Sequence, residues 1–241
     1  MTGAEATPVH LDWPGCRNVR DLGGLPTRDG RKIRERALIR SDALDRLTPE
    51  GVALVRALGV SRIVDLRRPV EVQRKPHPFG AEPSYRNIPV QNPADPDHEW
   101  LELAEIYIAM LDLRPRLFAQ AVGAVADAPP GPVVVHCAGG KDRTGLIVAM
   151  ALVIAGVEEQ VITADYALTE ARMREENIAH LEAIQDPRRR EIAARLQPTP
   201  PENMLRVLGH LDDKYGGVAA YLRSGGLDQA ALTALRDRLV A

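Results

Sequence analysis

VVVHCAGGKDRTGLIVAMALVIAGV, residues 133–157, sets β-favouring residues, a thiol, two glycines, three charges and a long apolar run side by side. The valines leading into His136 predict a buried strand over 133–136. Residues 144–155 predict a helix. The run from Leu146 to Val157, broken only by Gly156, puts that helix in the core. The run falls short of the roughly 20 residues that cross a bilayer, so no stable membrane insertion is expected.

The chemistry lies between strand and helix. The first N–H groups of a helix lack internal acceptors and carry partial positive charge. Gly139 and Gly140 let the backbone come close to a ligand and curl its N–H groups around an anion. A nucleotide phosphate in a Walker A loop is one candidate ligand. That motif needs glycine six residues before the lysine and Ser or Thr directly after it. Positions 135 and 142 are Val and Asp, so the reading fails twice. The other candidate is a phosphoester attacked by Cys137. The thiolate is the nucleophilic form, and a helix N-terminus and neighbouring cations favour it. Arg143, six positions on, can clamp two phosphate oxygens with its planar fork. Thr144 can donate to the sulfur, and His136 can fix the loop by bonding to backbone. Lys141 is expected to add charge for the substrate phosphate or for a second one.

Outward from this segment, strands alternate with helices through the first 160 residues. Residues 1–16 read as an irregular lead-in, and 18–30 as turns, from Gly23-Gly24, Pro26 and Asp29-Gly30. Strands are predicted at 37–41, 60–67 and 85–90. A helix is predicted at 47–59, with Thr48 as N-cap, Pro49 at its first position and Gly59 as its end. Residues 68–84 are charged and proline-broken and read as loop. The acidic stretch 91–99 reads as a second loop before helices at 100–112 and 114–128. Beyond 158 the pattern is helical, at 158–185, 188–196, 201–214, 216–224 and 228–240. These elements predict an α/β fold: a mostly parallel sheet flanked by helices, with a helical C-terminal third packed on it as core. One domain over 1–241 is expected.

Composition bounds the function. The 241 residues are 45% hydrophobic with a net charge of −2, so no global basic field points to nucleic acid. An anion site must be local. The two cysteines, Cys16 and Cys137, form no disulfide framework, and Cys16 reads as a bystander. The six histidines are scattered without metal-ligand spacing, so neither metal nor cofactor is expected. The N-terminus has no basic start followed by an apolar stretch. A cytoplasmic location, or export without such a peptide, is the expectation.

Residues 136–144, HCAGGKDRT, match the H-C-x5-R-[S/T] pattern of the protein tyrosine phosphatase superfamily. They resemble most its bacterial branch with the loop H-C-x-x-G-K-D-R-[T/A]. Rhodanese-like sulfurtransferases have one residue fewer in the loop, and low-molecular-weight phosphatases carry the cysteine near the N-terminus. The segments 18–24, 38–44, 63–67, 165–169 and 215–227 also resemble that branch, whose members act on phosphotyrosine and variably on phosphoserine/threonine and phosphoinositides. The resemblance implies a cysteine-dependent phosphatase whose partners are phosphorylated proteins or phosphoinositides. Cys137 would be its nucleophile and Arg143 its phosphate clamp, with Ala138, Gly139, Gly140, Lys141 and Thr144 around the phosphate. Many relatives draw a general acid from a Trp-Pro-Asp loop, and Trp13-Pro14 is followed by Gly15. Asp142 is the favoured acid, by likeness to lipid phosphatases with Asp before the arginine. The alternatives are that Asp142 only braces Arg143 or the loop, or that Asp65 or an acid of 95–99 donates the proton. Arg20, Asp21, Asp65 and Arg67 are expected to support the site. A non-catalytic phospho-ligand binding module and a sulfurtransferase are the rival functions.

Overall fold

The computed structural model describes residues 7–91 and 101–241. A six-stranded sheet runs in the order β1-β2-β3-β6-β4-β5. β1 (Val9–His10) and β2 (Arg20–Asp21) are antiparallel to their neighbours. β3 (Leu38–Ser41), β6 (Val133–His136), β4 (Arg62–Asp65) and β5 (Tyr85–Asn87) are parallel. The expected mostly parallel α/β sheet is present, with short strands.

Side chains of the central strands alternate between two cores, as the two-residue period of a strand demands. Leu38, Val64, Val133 and Val135 face the larger core. Ile39, Ile63 and Val134 face a smaller one with Trp13, Val55 and Phe79. Burial on both faces explains why these strands read as unbroken apolar runs.

α1 (Pro49–Ala57) begins as expected: the Thr48 hydroxyl accepts the Gly51 N–H at 3.3 Å, and Pro49 occupies the first turn. α3 (Leu103–Leu113) and α4 (Pro115–Ala126) follow β5. α5 (Asp142–Ala155) leaves β6 and is buried without a break from Arg143 to Leu152. It packs against α4, α6 (Glu159–Ala183), α9 (Val218–Ser224) and α10 (Gln229–Leu239). A helix apolar on all sides needs such a surround.

Several expectations are corrected. Residues 68–84 are not all loop: α2 spans Pro69–Arg74, because Pro69 opens the first turn and Glu71 accepts the Arg68 N–H at 2.8 Å. Residues 18–30 contain β2, and the lead-in contains β1. α5 starts two residues early, so Asp142 and Arg143 are helical. α8 (Pro201–Tyr215), α9 and α10 join the core, whereas α7 (Pro187–Leu196) buries no residue and α6 buries none beyond Met173. The expected loop at 91–99 falls, beyond Gln91, outside the described residues. Among the described residues no helix is long and apolar enough to cross a membrane.

Truncation at the centre of α5 tests this packing. Leu152→Ala should cost about 2–5 kcal/mol, read as a lower urea midpoint with an unchanged denaturant slope.

Candidate active site

β3, β6 and β4 end in register, Ser41 and Asp65 both lying opposite His136. The chain segments that leave them, at Asp42, Cys137 and Leu66, therefore emerge together at the carboxyl edge of the sheet, where parallel sheets form their ligand crevices.

Every carbonyl from residue 137 to 141 is held by a named donor. Cys137 O contacts His136 Nδ1 at 3.1 Å, and Ala138 O accepts the Ala43 N–H at 2.9 Å. Gly139 O and Gly140 O accept from Asn18 Nδ2 at 2.9 and 3.2 Å. Gly140 O also accepts from Arg40 at 2.7 Å, and Lys141 O accepts the Gly145 N–H at 2.8 Å. Among the described residues, the N–H groups of 138–144 donate to no carbonyl or side chain. With the carbonyls engaged elsewhere, these N–H groups are left available to an anion. Gly140 has φ +65°, and a Cβ there would lie 2.4 Å from Ser41 O. At Gly139 only Met173 Cε approaches, at 4.0 Å, so close packing does not demand glycine there.

The donors that pin the loop are themselves set by a buried charge cluster. Asp165 of α6 accepts from Arg20 at 2.6 Å through one oxygen and from Arg40 through the other. Arg20 also donates to Asn18 Oδ1, which turns the Asn18 amide so that its NH2 meets the loop. Arg20 is thus linked to the loop through Asn18. Asp21 makes no such link: it accepts the N–H groups of Gly23 and Arg36, bracing the following turn.

A second support runs through histidines. The Phe79 N–H donates to His77 Nδ1 at 3.1 Å, and His77 Nε2 lies 3.1 Å from His136 Nε2. With His77 Nδ1 accepting, its proton sits on Nε2 and is donated to His136. His136 must then carry its proton on Nδ1, facing Cys137 O. Burial, then the neighbouring His136, pulls His77 down to about 3. Burial likewise lowers His136, so both rings are neutral, as the chain of donors requires. Asp65, His77 and His136 bring donor atoms within 4.8 Å, as a metal site would. The hydrogen bonds account for this proximity: Asp65 accepts from Arg67 Nε and Nη2 and from the Tyr85 hydroxyl at 2.9 Å. Arg67 also pairs with Asp45 and reaches Lys75 O. Asp65 is fully buried and engaged by these partners.

Cys137 is buried at the end of β6, and Thr144 Oγ1 is buried with no partner among the described residues. Arg143 donates from both terminal nitrogens to Glu71, at 2.7 and 3.1 Å. Its Nε edge has no acceptor among the described residues, leaving that edge for an oxyanion. Burial works against the Arg143 charge, but the Cys137 sulfur and then Glu71 push its pKa above the ordinary value. Burial raises Glu71, and the hydrogen bonds from Arg143 pull it down to about 2.

Asp142 does not brace Arg143. Its Oδ1 accepts from the Tyr107 hydroxyl at 2.5 Å and lies 3.3 Å from Lys141 Nζ. Burial and then Asp142 hold the Tyr107 hydroxyl well above its usual pKa, so it remains a donor. Lys141 does not project freely: it donates to Leu196 O at 2.6 Å and Gln197 O at 3.3 Å, at the end of α7. Cys16 donates to Ala43 O, and burial pushes its thiol up. Asp95, Asp97 and Glu99 lie outside the described residues. Sequence reasoning missed Glu71, His77, Tyr107, Asn18, Arg40 and Asp165 as individual functional residues.

A model of the tyrosine phosphatase family matches residues 11–241. The chain belongs to this family. It is 28% identical over 277 aligned residues to the triple specificity protein phosphatase PtpB of Mycobacterium tuberculosis, covering 95% of this chain and 98% of that protein. A tyrosine-protein phosphatase of Nostoc commune is 28% identical over 217 residues, with 84% and 74% covered. The solved structure of P. aeruginosa TpbA aligns with 86% of this chain and 99% of its own at a TM-score of 0.37 and 19% identity, a likeness too loose to carry an argument. The resemblance read in residues 136–144 is borne out by the family match.

Two outcomes follow for this phosphatase. Asp165→Asn strips a buried carboxylate from two buried arginines and should cost about 3–5 kcal/mol, seen as a lower melting temperature. The histidine chain makes stability depend on pH. The unfolded His77 titrates near 6.5 and the folded one near 3, so between these values the unfolded chain binds the extra proton. Stability should be full above about pH 6.5 and fall with decreasing pH, by up to roughly 1.4 kcal/mol per unit for this group. Urea titrations of wild type and His77→Phe between pH 7 and 5 check this; the variant should show the shallower loss.

Proposed function

We propose that the chain hydrolyses phosphomonoesters, phosphotyrosine among them and phosphoserine/threonine and phosphoinositides in the wider range, through a cysteinyl-phosphate on Cys137. One observation carries the reading: five consecutive carbonyls are engaged by donors, while the N–H groups of 138–144 have no acceptor among the described residues, in the turn between a buried thiol and Arg143.

The three outer oxygens of the phosphoryl group accept from the N–H groups of 138–143 and from the free edge of Arg143. The Cys137 thiolate attacks phosphorus in line as the bond to the leaving oxygen breaks. Charge spreading over the outer oxygens meets donors already in place, which need no reorganisation. Asp142, turned by Tyr107 and Lys141, gives the leaving oxygen its proton. The resulting carboxylate then takes a proton from water as that water attacks the thiophosphate, and phosphate leaves. Thr144 donates its otherwise unpartnered hydroxyl to the departing sulfur. Glu71 keeps Arg143 in the plane the phosphate needs.

The triple specificity named for the mycobacterial relative supports the broad substrate range. A binding module has no need of a buried thiol under the nest, and a sulfurtransferase reading must accommodate the longer loop.

Turnover of p-nitrophenyl phosphate is the direct test. Cys137→Ser should abolish it while leaving phosphate binding, and substantial activity in that variant would refute the scheme. Arg143→Ala should lower kcat by about 10²–10³, and Arg143→Lys should rescue little, because an ammonium cannot serve Glu71 and phosphate in one plane. Asp142→Asn should spare substrates with good leaving groups relative to poor ones. Equal losses would remove its acid role.

A further inference from the structure

Beside the catalytic loop lies a concavity of about 210 Å³ that no step of the proposed hydrolysis uses. It shares Ala138 with the loop and Glu71 with the Arg143 clamp. Arg46, Arg67, Arg74 and Lys75 also line it, against only two carboxylates, Asp45 and Glu71. Both carboxylates are already committed, Asp45 to Arg67 and Glu71 to Arg143. Arg67 is fully buried in its pairings, and Arg46 is tied to Glu176. Among the described residues, the side chains of Arg74 and Lys75 have neither ion-pair nor hydrogen-bond partner. Two uncommitted cations thus stand side by side at the end of α2, on the wall of a small hollow that opens next to the phosphate nest.

We propose that this hollow binds a second phosphate of the substrate, carried on the same small ring as the phosphate that is cleaved. The inference rests on the proposed hydrolysis for the position of the first phosphate. A phosphate dianion is matched by the two free charges, and Arg can engage two of its oxygens at once. The small volume suits one compact anion adjoining the nest rather than an extended acidic peptide. Lys141, the residue whose spacing suggests this duty, is drawn away to the carbonyls of Leu196 and Gln197. The second-phosphate role therefore passes to α2. Binding here raises kcat/KM for bisphosphates and leaves the chemistry at phosphorus unchanged.

The test compares wild type with Arg74→Ala/Lys75→Ala on four substrates: an inositol monophosphate, the matching bisphosphate, and the dioctanoyl phosphatidylinositol forms of each. The wild type should favour the bisphosphate in kcat/KM, and the variant should lose that preference about tenfold, with p-nitrophenyl phosphate turnover retained as the sign of an intact loop. A preference in both pairs means the phosphate alone suffices; one confined to the lipid pair means the acyl chains help to present it. A ratio that the double substitution leaves unchanged, or a wild type that does not favour the bisphosphate, overturns the proposal. So does a variant-sensitive preference seen only with phosphotyrosine peptides bearing an acidic neighbour. Should wild type be inert to p-nitrophenyl phosphate, the hydrolysis reading fails instead. Calorimetry of inositol bisphosphate binding to Cys137→Ser, with and without the two alanines, then decides for the hollow, and equal affinities reject it.

Discussion

A peptide group cannot offer its N–H to a ligand unless its carbonyl is accommodated elsewhere. An anion nest is therefore a problem of where five carbonyls go. Here the donors come from β6, from the turn before β2, from β3 and the turn after it, and from the first turn of α5. Two of these contacts, both from Asn18, join residues more than a hundred positions apart, and those from Arg40 and Ala43 span nearly as much. The loop's shape is thus a property of the assembled sheet, and an isolated peptide of the same sequence would have no reason to adopt it.

The two arginines and one aspartate behind the loop show the same logic one layer deeper. Burying Arg20, Arg40 and Asp165 contributes little net stability, because desolvation offsets most of the attraction. It contributes geometry. Asp165 uses one oxygen for each arginine, and each arginine then reaches forward, one to Asn18 and the other to Gly140. α6 is thereby coupled to the loop of residues 137–141 through charges with few alternative arrangements. Preorganisation of this kind lets fixed dipoles stabilise charge without a reorganisation cost at the moment of reaction.

What is legible in the sequence follows from range. Cys137, Arg143 and the glycines sit within one contiguous turn, so their spacing alone exposes the chemistry. The central strands and α5 are legible because burial on all sides leaves an unmistakable apolar run. Asn18, Arg40 and Asp165 stand in segments that draw notice, yet their pairing is invisible because no local pattern encodes a contact across the sheet. Glu71 is different. Pro69 and Glu71 at the first and third helical positions are a helix-start signal, masked by the prolines and charges around it. Reading that signal would have placed a carboxylate on a short helix after β4, on the edge where Arg143 also emerges. Lys141 is the converse case: its place in the loop suggests a ligand, and only the fold brings the carbonyls at the end of α7 within its reach.

The local charge balance also bears on specificity. The chain carries a net charge of −2, and nearly every cation near the nest has a counterpart: Arg20 and Arg40 share Asp165, Arg67 has Asp65 and Asp45, and Arg143 has Glu71. A site so balanced draws its attraction for phosphate from backbone dipoles and one guanidinium edge. Those donors act at short range and favour the geometry in which charge is most spread, which is that of the transition state. Loose cations would instead hold phosphate in every state alike, and the product would leave slowly. Uncompensated positive charge belongs beside the nest rather than in it, where it can select among substrates without retarding release of the phosphate formed within. Arg74 and Lys75 occupy that flanking position.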